Sequence, residues 1–107
     1  MLITNLLGAI PKELPEELTE ILVAGQDVRI ERIVSRGHTS PADFWYDQED
    51  NEWVLVLAGS ARLLFEANRQ LVELGAGDSL TIGAHTRHRV EWTDPEQDTI
   101  WLAVFYS

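Results

Sequence analysis

The chain has 107 residues, 45% of them hydrophobic, which sets it as one compact domain with a single core and room for one site. Its formal net charge of −10, from 8 Lys+Arg against 18 Asp+Glu, lacks the basic patch that binding to nucleic acid or an anionic membrane surface requires. With no cysteine, disulfides, thiolate nucleophiles and zinc fingers are excluded.

The opening run MLITNLLGAIPKELPEEL has a short apolar start but no basic n-region, and no apolar stretch approaches the roughly 20 residues of a membrane span. A cytoplasmic protein is expected. Pro15 stands where a helix would begin over Glu16 to Ala24, with Leu18, Ile21 and Leu22 on one face and Gly25 as its stop. Residues 1–27 are accordingly expected to be an N-terminal segment carrying one short helix. From Val28 the pattern changes to short apolar runs, VRIERIV, FWY, WVLVLAG, ARLLFEA, QLVEL, SLTIG, HRVEW and TIWLAVFY, separated by turn residues. Strands at this spacing without intervening helices predict an antiparallel, all-β sandwich or barrel over residues 28–107.

Several of these runs, Trp53 to Leu57 and Ile100 to Phe105 above all, are apolar on both faces and need cover on each. Either the N-terminal segment folds back over its own barrel, or a second copy covers the sheet. The second predicts a homodimer, formed by sheet against sheet or by exchange of residues 1–10.

Alternation along a strand assigns Tyr46 and Gln48 to one face, and sets Glu52 in register with Val54 and Val56. It places His88 with Val90 and Trp92, leaving Arg89 and Glu91 for solvent. If Val54 and Val56 line an interior, Tyr46, Gln48, Glu52 and His88 form a candidate ligand-binding set at its mouth. The other carboxylates of the stretch FWYDQEDNEW, namely Asp47, Glu49 and Asp50, read as a solvated turn.

Glu52 is followed after six residues by Gly59, and Gly77-DSLTI-Gly83-Ala-His85-Thr-Arg-His88 repeats the intervals G-x5-P-x-G-x2-H. In these two motifs the chain resembles a small single-domain cupin of the conserved-barrel type, and the resemblance covers Val28 to Tyr106. It implies an antiparallel jelly-roll barrel. It also implies a metal held by two histidines of an H-x-H pair, the glutamate and the last histidine. Here the H-x-H positions are Tyr46 and Gln48, so only Glu52 and His88 survive. The second motif's proline and glycine are Gly83 and His85, its closing asparagine is Trp92, and Ser40 stands at the first motif's opening glycine.

One imidazole, one carboxylate and one amide make a poor donor set for a transition metal. A weakly held divalent ion on Gln48, Glu52 and His88, with His38 as a further imidazole, is one expectation. His85 is a rim candidate, and the four tryptophans are expected to pack rather than to form a stacking platform. Three functions follow: a module binding a small polar molecule in the cavity; a metal-dependent cupin enzyme of the dioxygenase or isomerase type using Glu52 and His88; and a metal-free acid–base enzyme pairing the same two residues.

Overall fold

The computed structural model describes residues 2–107; Met1, the first residue of the segment considered for exchange, lies outside them. Eight strands follow one another: β1 (Leu18–Ala24), β2 (Val28–Ser35), β3 (Asn51–Ala58), β4 (Ser60–Phe65), β5 (Leu71–Gly75), β6 (Ser79–Ile82), β7 (His88–Thr93) and β8 (Thr99–Tyr106). They form a five-stranded sheet in the order β1-β2-β8-β3-β6 and a three-stranded sheet in the order β5-β4-β7, with every pairing antiparallel. The two face each other as an all-β jelly-roll barrel.

The expected helix over Glu16 to Ala24 is not there: Leu18–Ala24 is strand β1, paired with β2 from Leu18↔Val34 to Ala24↔Arg29. Nine residues are too few for a helix to stand alone, and Thr19, Ile21 and Val23 are β-branched residues that suit a strand. The edge of β2 offers β1 a full ladder, and the Glu20↔Arg32 pair joins opposite charges directly across it.

Alternation fills the barrel. Val54 and Val56 from β3, Ala61 and Leu63 from β4, Leu74, Ile82 and Trp101 form the buried core cluster. Gly59 turns β3 into β4 at φ +85°, where a Cβ would meet the Thr99 Cα at 2.6 Å. Only glycine fits there.

On the other side of the large sheet, Arg32 is buried although it faces outward. Its guanidinium pairs with Glu20 and donates to the carbonyl oxygens of Gly8 at 2.6 Å, Leu6 at 3.1 Å and Ala9 at 3.3 Å. Arg36 repeats the device lower down, reaching the Lys12 and Pro11 carbonyls and pairing with Asp98 at 2.6 Å. The N-terminal segment is thus strapped across one end of its own sheet, where Val34 and Ile100 are sealed. Beyond the strap the outer face stays partly open: Val23, Ile30, Val104 and Trp53 form one cross-strand row, flanked by Leu102 and Leu55. Val28 and Tyr106 also remain exposed.

Candidate functional site

A cavity of about 240 Å³ opens between the two sheets. Its floor is apolar, built from Ile33, Val54, Leu63, Ile82 and Val90. Tyr46, Gln48, Glu52 and His88, the four side chains that alternation brought together, all stand on its walls. Glu52 comes from β3 in the large sheet and His88 from β7 in the small one, so the pair spans the barrel.

His88 is fixed from below and from the side. Its Nδ1 lies 2.8 Å from the Thr86 carbonyl and therefore carries the proton, turning Nε2 toward the cavity 3.8 Å from Glu52 Oε1. The backbones of Tyr46 and His88 exchange hydrogen bonds of 2.7 and 3.2 Å, a single β-bridge that hangs the 36–50 loop on β7. The same bridge stacks the two rings with centroids 5.4 Å apart.

Glu52 accepts from Gln48 Nε2 at 3.1 Å. Burial raises its carboxyl above the ordinary value, an effect that the Gln48 hydrogen bond and the nearby His88 partly oppose. Burial likewise pushes the Tyr46 phenol up, reinforced by the fields of Glu17 and Glu52. A buried carboxyl that holds its proton more tightly, beside an imidazole with a free Nε2, can pass a proton to a molecule lying between them.

The other histidines stand elsewhere. His38 Nδ1 accepts from the Arg36 amide at 2.9 Å and its Nε2 lies 3.1 Å from the Pro15 carbonyl, so both ring nitrogens are engaged outside the cavity, beside a second groove with Ser40 and Pro41. His85 is exposed and paired with Asp47 at 2.8 Å. It adopts φ +58° and its amide donates to the Gln48 carbonyl at 2.7 Å. That left-handed conformation is why the corresponding motif position is a glycine. Trp92 does not share a face with His88: β4 pairs Leu63 with Val90 but Arg62 with Trp92, so Glu91 is an extra residue. The bulge reverses the alternation and puts Trp92 outside, under the Arg62 guanidinium at 4.5 Å.

The alternation argument passed over one whole wall of the cavity, formed by Glu17 and Thr19 with Arg29, Glu31, Trp101 and Phe105. Arg29, Phe105, Glu52 and Ile82 lie in one cross-strand row. Arg29 donates to Glu31 at 2.6 Å and lies over the Phe105 ring at 4.3 Å. Trp101 Nε1 donates to Ser35 Oγ at 3.2 Å, and that hydroxyl donates to Glu17 at 2.5 Å.

A family model described as a cupin domain matches residues 23–105. The chain belongs to the cupin family. Over its full length this cupin is 40% identical to a Ralstonia eutropha JMP134 protein provisionally named a mannose-6-phosphate isomerase, with a TM-score of 0.95 and 99% of that chain covered. A cupin described as RmlC-like from Desulfovibrio desulfuricans shares 18% identity at TM-score 0.77, covering 99% of this chain and 96% of that one. The polyketide cyclase RemF from Streptomyces resistomycificus shares 21% at TM-score 0.73, over 86% of this chain and 66% of that one. The last two share the fold. No curated protein matches the chain significantly.

The metal that a cupin implies finds a thin donor set here. Among the described residues, no three His, Asp or Glu side chains gather in a metal-binding arrangement. Tyr46 and Gln48 hold the positions of two imidazoles, and of the further histidines His38 is tied to backbone and His85 to Asp47. One imidazole nitrogen, one carboxylate and one amide do not fit a tightly held transition metal.

Proposed function

We propose that this cupin binds a small polar molecule in its barrel through Tyr46, Gln48, Glu52 and His88. The observation that carries the reading is the cavity itself: about 240 Å³ of mostly apolar space with these polar side chains gathered on its walls. The test is an amide NMR titration of the untagged protein with a library of small polar compounds. Shifts centred on these four residues are expected, and binding confined to the outer surface would overturn the reading.

A second reading, metal-free proton transfer, draws support from the Glu52–His88 pair and from the raised Glu52 carboxyl. The isomerase name carried by the Ralstonia protein is compatible with it, since moving a proton between two carbons needs an acid and a base and no metal. The metal-dependent alternative, a dioxygenase or isomerase using Glu52 and His88, has the donor set against it. Elemental analysis decides: near-stoichiometric divalent metal that disappears in Glu52→Ala would restore it. We also propose a homodimer formed through the open rows of the outer sheet face, since a contiguous apolar patch of this kind marks an interface. A cytoplasmic location belongs to the same reading, and no helix among the described residues is long and apolar enough to cross a membrane.

A further inference from the structure

The cavity's walls carry three carboxylates, Glu17, Glu31 and Glu52, against one guanidinium, Arg29. Each acid is engaged through one oxygen only: Glu17 by the Ser35 hydroxyl, Glu31 by Arg29 Nε and Glu52 by Gln48. Arg29 is committed to Glu31 and lies over the Phe105 ring. His88 is a conditional partner. If a proton sits on His88, Glu52 is balanced by it; if the proton sits on Glu52, both are neutral. In either arrangement Glu31 is cancelled by Arg29 and Glu17 is cancelled by nothing on the cavity wall.

A second observation points at a ligand rather than at solvated acids. The His88 side chain is only 6% exposed, yet its Nε2 has no hydrogen-bond partner, with Glu52 still 3.8 Å away. On a side chain buried to this degree, a ring nitrogen that opens onto a cavity without a protein partner is met by water or by a ligand. Stacked on the same imidazole, the Tyr46 phenol feels the fields of both Glu17 and Glu52. An aromatic ring that shares a cavity with two carboxylates is a setting for a positive group.

We infer that the molecule bound in this cavity is a cation, a small ammonium- or amidinium-bearing compound whose charged group sits among Glu17, Tyr46 and Glu52 while a hydroxyl or second N–H of the same molecule meets His88 Nε2. The inference rests on the binding reading above and narrows it to a charge class. An anion such as a sugar phosphate would meet Glu17 unbalanced and would have to take Arg29 from Glu31. The net charge of −10 on the whole chain works in the same direction, drawing cations toward the mouth.

The test uses one hexose frame at three charges, glucosamine, glucose and glucose 6-phosphate, inside a fragment panel balanced among amines, neutral polyols and anions, read by amide NMR on the full chain. Amines should dominate the compounds that shift cavity residues, and glucosamine should bind about tenfold tighter than glucose 6-phosphate, as expected for one unbalanced wall charge at partly buried range. Glu17→Gln should abolish that preference, with the amide spectrum confirming that the variant is folded. A panel in which neutral or anionic compounds lead would overturn the charge assignment and leave the binding reading intact. Cavity residues unmoved by every member would end both.

Discussion

Replacing Arg32 by alanine tests whether the N-terminal strap is part of the fold. The Arg32 side chain is 4% exposed, donates to three main-chain carbonyls and pairs with Glu20. A hydrogen bond to a charged group contributes about 1.5–3 kcal/mol, but the guanidinium had to leave water to make them, and breaking a buried ionic arrangement costs about 3–5 kcal/mol net. Glu20 is 41% exposed and regains water when its partner goes, which sets the expected loss near the lower end, about 3 kcal/mol. Urea unfolding at 25 °C reads this as a midpoint lowered by about 2 M for an m-value of about 1.5 kcal/mol/M. In a chain lacking residues 2–9, Arg32 already faces water, and Arg32→Ala should then cost under about 1 kcal/mol, as surface changes do. Equal losses in the two backgrounds, or a full-length loss below about 1 kcal/mol, would refute the anchoring role.

Three further outcomes can be measured. Because burial raises the folded Glu52 carboxyl, folding takes up a proton there. The stability this supplies is complete below the unfolded value, about 4.3, and is lost as pH rises through the raised folded one. Glu52→Gln should therefore melt above the native protein at pH 7.5, with the gap closing at pH 4, and a gap unchanged between the two would show that Glu52 does not titrate as described. Gly59→Ala and Gly77→Ala share a left-handed conformation, φ +85° and +90°, but the new Cβ meets Thr99 and Asp98 backbone at 2.6–2.7 Å only in the first. Gly77→Ala should cost about 1–2 kcal/mol and Gly59→Ala several more, whereas similar losses would remove the steric argument. Sedimentation equilibrium at micromolar concentration should give twice the 12.1 kDa chain mass and revert to one chain on Val104→Glu; a single-chain mass for the native protein would exclude the dimer.

The barrel was legible because turns and short apolar runs are written locally, and the two spaced motifs set Glu52 and His88 on known strands. The N-terminal strand was not legible. LTEILVA has apolar residues at both helical and strand spacing, and its strand form is decided by the free edge of β2, a partner that no local pattern reveals. The acidic wall stayed hidden for a related reason. In VRIERIV each face carries a charge, Arg29 and Glu31 on one and Arg32 on the other, so alternation gave no sign of which was inside. Both turned out to be enclosed, one by the cavity and one by the strap. Trp92 was misplaced because a bulge leaves no residue-type signature: Glu91 looks like any solvent-facing acid.

That one inserted residue shifts the frame in which β7 is read. Up to Val90 the strand addresses the cavity, presenting His88 to Glu52. Past Glu91 the inward side chain is Thr93, whose hydroxyl donates to the His38 carbonyl at 2.6 Å and closes the barrel's far end. A single strand therefore serves two compartments, one open to a ligand and one sealed, and the boundary between them is an insertion rather than a change of composition. Deleting Glu91 would rejoin the two into a single alternating strand, with Val90, Trp92 and Thr93 keeping Leu63, Arg62 and Ala61 as their partners.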